Sequence, residues 1–512
     1  MRLLKGSRLA VLVKIVTLAI TISVLGTLSL AAFAHGETAI GFFIAIAILA
    51  LSVTYFSNIS VPMKFFLPGM ILLAAFVVVP IVYTLTMSAY KYQTGNYISK
   101  QEAITQDLSL GVEPDAAGTT FDIAIGRDSQ GNLAVLASDS ASSTYFLTTE
   151  KTKFSLKPTD VTLNADGVAV GTAGFTKFNN DQLSAVADQA SKARFAYDNK
   201  YFLLTQGFDL GSINTQSLTY NSSTDIFKNK ATGAVYKDNG RGNFVNVKDK
   251  NDILPVGWRA PIWFENFAKL FTDPLIRGPL ISVFIWTVAF ASITVLTQFA
   301  LGLLIALALD KKIRGRRFYR AILILPYAMP SLMSILIWGG MFQTEFGAIN
   351  TLLGAHINWF NDPWFARAAV LVVNLWLGFP YFYLVSSGSL QAIPSELAEA
   401  AAVDGANPRQ IFRKITLPLL LQILAPLLIA SFAFNFNNFN LIFLLTGGGP
   451  RDDLGGQVAG ATDILISYTY RIAFGGQTHD LGLASAISVI IFVIVASISL
   501  YGVKKTKVLD EF

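Results

Sequence analysis

The hydrophobic positions of the chain are gathered into two long stretches rather than spread evenly. Residues 9–90 and 276–505 are apolar almost throughout, while the segment between them has the composition of soluble protein. A helix that spans a bilayer needs about 20 mainly apolar residues. Eight segments meet this requirement and predict eight transmembrane helices, at 9–33, 39–57, 65–89, 280–309, 319–342, 367–390, 418–445 and 482–503.

The basic residues of the short loops predict the orientation of these helices, because Lys and Arg are concentrated in cytoplasmic loops. Basic residues precede the first span, follow the fourth and follow the eighth, whereas residues 343–366 contain neither Lys nor Arg. We therefore expect both termini in the cytoplasm and residues 91–275 in the periplasm. The basic residues concerned are Arg2, Lys5, Arg8, Lys311, Lys312, Arg314, Arg316, Arg317, Arg320, Lys504, Lys505 and Lys507.

The first apolar run also has the features of a signal peptide, since Ala32-Phe33-Ala34 imitates a cleavage site. The run from Leu9 to Ala34 is longer than the roughly 7–15 residues of a signal-peptide core, and a second apolar run follows it directly. We expect an uncleaved first helix.

Residues 91–275 predict a small β-rich globular domain. Stretches of β-prone residues such as 133–136, 161–163 and 168–170 alternate with turn signals such as 128–132. The segment contains no His and no recognisable pairing of a nucleophile with a base. A docking domain is therefore favoured over an enzyme.

Composition supports a membrane protein and excludes several kinds of site. Of all residues 53% are hydrophobic and 14% charged, with a mean hydropathy of +0.51, against about 25% charged residues in soluble domains. The absence of Cys excludes disulfides and thiolate metal sites, and His35, His356 and His479 are too far apart to suggest a metal centre. We expect no cofactor. The net charge is +6, but many of the basic residues lie beside apolar runs. This position indicates membrane topology rather than nucleic-acid binding.

The cytoplasmic segment between the sixth and seventh spans predicts a short helix–turn–helix. Pro394 and Ser395 favour the start of a helix, and Gly405 can adopt the left-handed conformation that ends one. Asn407 is a capping residue for a second helix with Pro408 in its first turn. Such a unit can enter a cleft on a soluble partner. On these residues alone, an amphipathic loop lying on the lipid headgroups is the simpler interpretation.

This segment carries a motif that resembles the EAA motif of ABC-importer permeases. The motif is Glu399-Ala400-Ala401, three residues, Gly405, nine residues, then Ile415-Thr416-Leu417-Pro418. Residues 263–267, 325–330 and 431–439 are also similar to that family. Three features resemble its maltose/maltodextrin permeases more narrowly: the eight predicted spans, the large insert after the third span, and residues 431–439.

The resemblance implies an all-α polytopic membrane protein with eight transmembrane helices and the type I ABC-importer permease fold. A β-rich periplasmic domain is then inserted after the third helix. The implied domains are three N-terminal helices in 1–90, the periplasmic domain in 91–275 and a permease core in 276–512 with its coupling loop at 389–418. The residues implied to couple the chain to an ATPase are Glu399, Ala400, Ala401, Gly405, Ile415, Leu417 and Pro418.

Polar residues within the sixth and seventh spans are candidates for a substrate site, because polar side chains at membrane depth are costly. Amides, hydroxyls and aromatic rings suit an uncharged sugar, whereas interhelical hydrogen bonding is the alternative explanation. Ser431, Asn435 and Asn438 are spaced to share one helical face, while Asn437 and Asn440 fall on other faces. The resemblance implies that the substrate is contacted by Asn374, Leu377, Gly378, Tyr381, Ser431, Phe434, Asn435 and Asn438.

Glycine at position 378 is expected to let a ligand approach the backbone closely. The resemblance also implies the partners: a second permease subunit, two copies of an ATP-binding subunit and a periplasmic maltose-binding protein. Maltose or maltodextrin would be the substrate, membrane lipid would surround the helices, and no nucleic acid would bind.

Two other functions are weaker alternatives. A membrane insertase with a large periplasmic domain would place a basic residue in a groove among its core helices, whereas here the fourth to eighth predicted spans carry basic residues only at their ends. An ion channel would need a filter or a charged ring. Residues 454–457 and 475–477 resemble fragments of an ATPase signature, but the chain has no Gly-Lys dipeptide and therefore no Walker A loop. We expect ATP hydrolysis in another chain, and no catalytic residue in this one.

Overall fold

The structure is a computed structural model that describes residues 8–34, 38–56, 61–139, 142–310, 314–451, 459–475 and 479–505. By its contacts the chain divides into two compact units. The helical unit takes Met1–Ala89, Trp263–Gly476 and Leu481–Phe512, and the β-rich unit takes Tyr90–Ile262 with Gln477–Asp480. Some residues used in the sequence predictions lie outside the described residues: Arg2, Lys5, His35, Lys311, Lys312, residues 454–457, residues 476–477 and Lys507.

The first four helices form from uninterrupted apolar sequence, and helices satisfy every backbone hydrogen bond without water. A π-helical turn at Ala74–Val78 ends two residues before Pro80, which has no N–H to donate to the carbonyl four residues back. None of the residues in Val61–Leu73 is buried within the chain. The helices are α1 (Arg8–Ala34), α2 (Thr38–Phe56), α3 (Val61–Leu73) and α4 (Val79–Ser88).

The β-rich unit contains a nine-stranded antiparallel sheet and a four-stranded antiparallel meander. Two helices, α5 (Lys100–Leu110) and α6 (Asn180–Lys192), begin with capping boxes at Ser99 and Asn179. The strands are β1 (Tyr90–Lys91), β2 (Val112–Pro114), β3 (Thr120–Asp128), β4 (Leu133–Asp139), β5 (Thr144–Thr149), β6 (Lys153–Leu156), β7 (Val161–Leu163), β8 (Ala169–Thr172), β9 (Phe175–Lys177), β10 (Phe195–Ala196), β11 (Tyr201–Gln206), β12 (Leu210–Gln216), β13 (Leu218–Asn221), β14 (Ile226–Asn229), β15 (Val235–Asp238), β16 (Phe244–Asn246) and β17 (Ala260–Pro261).

The larger sheet runs in the order β10-β11-β12-β3-β4-β5-β6, with β2 paired to β12 and β9 paired to β3. Its apolar face packs against α6 in a core that includes Phe146, Phe195 and Leu203, each fully buried. The meander β13-β14-β15-β16 packs against α5 around Phe244, whose ring centroid lies 4.9 Å from that of Trp258. Each sheet therefore has its own apolar core.

The second half of the helical unit is built on two long helices, α8 (Pro274–Asp310) and α12 (Pro363–Ala392), that pack closely together. A Cβ at Gly302 of α8 would lie 2.6 Å from the backbone nitrogen of Tyr383 in α12, so this crossing requires glycine. The helices are α7 (Glu265–Thr272), α8 (Pro274–Asp310), α9 (Arg316–Ala328), α10 (Ser331–Met341), α11 (Ala348–Leu353), α12 (Pro363–Ala392), α13 (Ser395–Val403), α14 (Pro408–Ile411), α15 (Leu417–Phe436), α16 (Phe439–Leu445), α17 (Leu465–Phe474) and α18 (Leu481–Lys505).

Two predicted spans are not continuous helices, so the expectation of one unbroken helix was wrong for each of them. The span expected at 319–342 is two helices, α9 and α10, bent by 94° at Met329 and Pro330, which has no N–H to continue the helix. The span expected at 418–445 ends at Phe436, and α16 begins three residues later. The loop expected after it contains a further helix, α17, which packs in the core.

The described residues contain six helices that are long and apolar enough to cross a membrane, or seven if the bent pair counts as one span. The apolar part of α2, Ile40–Phe56, is shorter than these. The chain is thus helical with about six apolar spans, together with a β-rich region.

Candidate functional site

A cavity of about 610 Å³ lies between the breaks in the helices of the second half. Its wall is formed by α8, by the corner between α9 and α10, by α12, and by α15 with the break that follows it. All eight residues that the sequence singles out for substrate contact lie on this wall. The lining residues are Gln298, Pro326, Tyr327, Met329, Ser331, Ile335, Asn374, Leu377, Gly378, Tyr381, Leu427, Ala430, Ser431, Phe434, Asn435, Asn438, Asn440 and Leu441.

Two of the amides on the wall are bonded to each other. Asn374 Nδ2 donates to Asn435 Oδ1 at 2.8 Å, and Asn435 Nδ2 donates to the carbonyl oxygen of Ser431 at 2.9 Å. Asn374 is 4% exposed and Asn435 is 2% exposed. This pair joins α12 to α15, as the alternative of interhelical hydrogen bonding anticipates.

The other polar groups on the wall have capacity left for a ligand. Among the described residues none hydrogen-bonds to the Tyr381 hydroxyl, and Asn438 uses its Oδ1 to accept from Leu441 N at 3.4 Å while its Nδ2 donates to none. Phe434 is 70% exposed and presents an aromatic face. Among the residues that the structure describes, the lining contains no Asp, Glu, Lys, Arg or His, so the cavity suits an uncharged polar molecule with apolar faces.

Asn438 and Asn440 both line the cavity, but the structure places each of them differently from its prediction. Because α15 ends at Phe436, Asn438 is not on its helical face but caps the start of α16. Asn440 was expected on another face, yet it also lines the cavity, so that expectation was wrong. Asn437 stays outside the lining and its Nδ2 donates to Ala433 O at 3.4 Å.

Gln298 is a buried polar residue of the lining that the sequence predictions missed. A glutamine within an apolar span is itself a signal, because it is costly at membrane depth. Its carboxamide occupies the space where a Cβ at position 378 would lie, so the expectation that Gly378 leaves room for a ligand was wrong. The residues at the corner of α9 and α10 were missed because the bend itself was not predicted.

The segment between α12 and α15 has the helix–turn–helix form that its residues predict. Helix α13 has no buried residue, and Gly405 has a φ of +85°, which favours glycine. Asn407 caps α14 together with the Gln410 side chain. A π-helical turn, Phe412–Thr416, then leads into α15, so that Pro408–Phe436 is one run of 29 residues.

The residues of the EAA-like motif are spread along this segment. Glu399 and Ala400 lie exposed on α13, and Ala401 is half-buried beside them. Ile415 lies in the π-helical turn. Leu417, the first residue of α15, packs against the cluster that contains Leu420 and Leu424. Pro418 is exposed.

A family model described as the inner membrane component of binding-protein-dependent transport systems matches residues 298–505. The maltose/maltodextrin transport system permease protein MalF of Vibrio vulnificus (strain YJ016) is 34% identical, over 93% of this chain and 91% of its own length. MalF of Photorhabdus laumondii subsp. laumondii is 36% identical over 96% of both chains. MalF of Escherichia coli (strain K12) is 46% identical, over 57% of this chain and 59% of its own.

Among solved structures, a bacterial ABC transporter involved in the import of the acidic polysaccharide alginate is similar, with a TM-score of 0.42 and 21% identity over 48% of this chain and 84% of that chain. Two of these sequence relatives are more than a third identical to this chain and cover nearly all of it. The chain therefore has the type I permease fold and is a multi-pass inner membrane protein. The chain therefore belongs to the MalF family of ABC-importer permeases.

Proposed function

We propose that this chain is the permease subunit of an ATP-driven importer that moves maltose and maltodextrins from a periplasmic binding protein to the cytoplasm by alternating access. The observation that carries the proposal is the uncharged cavity, where amides, hydroxyls and aromatic rings converge. The names of the relatives specify the sugar. The insertase alternative gains no support from these relatives.

The proposed topology has eight spans and both termini in the cytoplasm. In it α2 and the bent pair of α9 and α10 each count as one span, in addition to the six longer helices. The distribution of Lys and Arg supports this orientation. Residues 1–90, 91–275 and 276–512 are then the N-terminal helices, the periplasmic domain and the permease core, and the β-rich domain is the surface offered to the binding protein.

The side chains that line the cavity differ in how much of their hydrogen-bonding capacity is already used within the protein. Ser431, Tyr381 and Asn438 are the proposed hydrogen-bonding partners of the sugar, with Phe434 and Leu377 against its apolar faces. Asn374 and Asn435 are proposed to contact it at the floor of the cavity while their mutual bond holds α12 to α15. Gly378 contributes by its lack of a side chain.

The proposed coupling segment, from α13 to α14, is linked to the cavity by one continuous helical run, Pro408–Phe436. Residues Ser431 and Asn435 lie at one end of the 29-residue run whose other end is α14. A rigid-body shift of the loop at Gly405 therefore reaches the cavity wall along one helix. Two ATP-binding subunits, one receiving this exposed loop, and a second permease subunit complete the proposed assembly, and ATP hydrolysis belongs to the ATP-binding chains.

The assembled transporter in proteoliposomes tests the site by uptake of labelled maltose. Truncating a group that bonds a sugar hydroxyl costs about 1–3 kcal/mol, so Tyr381→Phe, Ser431→Ala and Asn438→Ala should each lower uptake efficiency about 5- to 150-fold. Asn435→Ala should also lower the thermal stability of the complex, because it breaks the bond to Asn374.

Asn437→Ala is the matched control, since this amide lies outside the cavity lining. It should keep uptake within about twofold of wild type, a difference of less than half a kcal/mol. ATPase activity stimulated by the binding protein should persist in all of these variants. Equal losses in the control and the cavity variants would remove the cavity from the transport pathway.

A further inference from the structure

Gln298 is held in one orientation on the wall of the cavity. Its Nε2 donates to the backbone carbonyl oxygen of Asn374 at 2.6 Å, and the residue is 3% exposed. A carbonyl oxygen can only accept, so the nitrogen of the carboxamide must face Asn374. The position of Oε1 is fixed by the same bond.

The backbone of α12 supports this carboxamide from below. A Cβ on Gly378 would overlap the Nε2, Cδ and Oε1 atoms of Gln298, so the flat amide rests on the glycine. Any larger residue at position 378 would displace it. Gly378 therefore serves to seat Gln298.

The carbonyl oxygen of this side chain is available to a ligand. No described residue donates a hydrogen bond to Gln298 Oε1, and the atom is not among the buried polar atoms that lack a partner. The residue lines the cavity beside Asn374 and Tyr381. A fixed, uncharged acceptor on the wall of a polar cavity is suited to a hydroxyl donor.

We propose that Gln298 is a further sugar-contacting residue that determines specificity, with its Oε1 accepting a hydrogen bond from one hydroxyl of the bound oligosaccharide. The inference rests on the proposed transport of maltose and adds a contact provided by α8. It also assigns to Gly378 the role of positioning Gln298, which makes the two residues one functional unit.

The test uses the complete transporter in proteoliposomes, with labelled maltose and a set of maltose analogues that each lack one hydroxyl. Gln298→Met keeps the length of the side chain and removes both polar atoms. Uptake efficiency for maltose should fall about 5- to 150-fold. Wild type should discriminate against one analogue by at least about fivefold, and Gln298→Met should no longer discriminate against that analogue.

The loss of discrimination separates a sugar contact from a merely structural role, which would lower the uptake of every analogue alike. Gln422→Met is the matched control, a glutamine in α15 outside the cavity lining, and it should stay within twofold of wild type. If Gln298→Met does not assemble, Gln298→Asn retracts the same amide by one methylene and gives the same comparison.

Gly378→Ala tests the pairing of the two residues. It should lower maltose uptake about as much as Gln298→Ala does, and the double variant should lose no more than Gln298→Ala alone, because both changes remove the same contact. Multiplicative losses would mean that Gly378 acts independently of Gln298, and the inference would be wrong.

The failure of this inference can be told apart from failure of the proposed function. If wild type assembles but transports no maltose, the proposed function fails. If wild type transports maltose and Tyr381→Phe impairs it, while Gln298→Met keeps wild-type uptake and discrimination, only the assignment of Gln298 is overturned.

Discussion

Asp463 in the helical unit has no exposed surface, whereas Asp188 in the β-rich unit is 84% exposed. Both carboxylates have a basic partner. Asp463 accepts from Arg471 Nη2 at 2.9 and 3.0 Å, and also from Gly460 N and the Ser467 hydroxyl. Among the described residues, the Asp188 carboxylate accepts only from Lys192, one turn further along α6, at the surface. The same type of ion pair is thus largely buried in the helical unit and exposed to solvent in the β-rich unit.

Apolar side chains show the reverse distribution. Phe65 and Phe76 in the first half of the helical unit are 83% and 76% exposed, whereas Phe146, Phe195 and Phe244 in the β-rich unit are fully buried. A water-soluble fold buries such rings and leaves ion pairs outside. The helical unit can expose them because its solvent is lipid, and its polar groups then gather inside, at the cavity and around Asp463.

The largest expected effect follows from breaking the buried pair. Asp463→Ala leaves the Arg471 guanidinium, whose side chain is only 16% exposed, without its carboxylate. Removing one partner of a buried pair typically costs about 3–5 kcal/mol, a large share of the roughly 5–15 kcal/mol that stabilises a typical fold. We expect the purified complex in detergent to lose its monodisperse form at a clearly lower temperature than wild type. Heating series followed by size-exclusion chromatography measure this.

Adding Arg471→Met to Asp463→Ala should recover part of the loss, because the uncompensated charge is then gone. Two outcomes would show that burial of this pair is unimportant. One is Asp463→Ala as stable as wild type, and the other is a double variant less stable than Asp463→Ala and than Arg471→Met alone.

Asp107 is the exception within the β-rich unit and gives the next largest effect. Its side chain is buried, one carboxylate oxygen accepts from Val256 N at 3.2 Å, and the other has no hydrogen-bond partner among the described residues. Burial raises the pKa of Asp107 from 3.8 to about 6. The folded unit therefore favours the protonated acid, and wild type gains stability as the pH falls from about 6 towards 3.8.

Asp107→Asn cannot titrate, so its free energy of unfolding relative to wild type should change with pH. Between pH 7.5 and pH 4.5 wild type should gain about 2 kcal/mol on the variant. Hydrogen exchange of the segment around Trp258, compared between variant and wild type at each pH in the intact protein, measures the difference. A constant difference across this range would contradict the raised pKa.

The sequence predicts those features that depend on local residue type. The segment from α13 to α14 is an example, since Gly405 carries the signal for the turn and Asn407 the signal for the cap that the structure contains. The β-rich region was likewise predicted from alternating strand and turn signals, and β4 covers one of the stretches used. Both predictions needed only neighbouring residues.

Features that depend on distant residues were not predicted. Gln298 meets Gly378 only because α8 and α12 pack together, and no local pattern reports that contact. The bend before Pro330 and the break at Asn438 were masked by the apolar residues on either side, which suggested continuous spans. Helix α17 was missed because its polar residues, including Arg471, indicate a loop unless their buried partner Asp463 is known.

The smallest expected effect concerns the exposed pair of α6, and it tests the contrast from the other side. Asp188 and Lys192 are four residues apart, with side chains 84% and 73% exposed, so water and salt screen their attraction. Asp188→Asn should change the stability of the β-rich unit by no more than about 0.5 kcal/mol, and the change should shrink further in high salt. Hydrogen exchange of α6 at low and high ionic strength provides the measurement, with Asp107→Asn under the same conditions as the reference for a buried carboxylate. A loss above about 1 kcal/mol would mean that exposed pairs stabilise this unit substantially. The distinction between Asp188 and Asp463 would then lie in their local partners and not in the solvent that surrounds each unit.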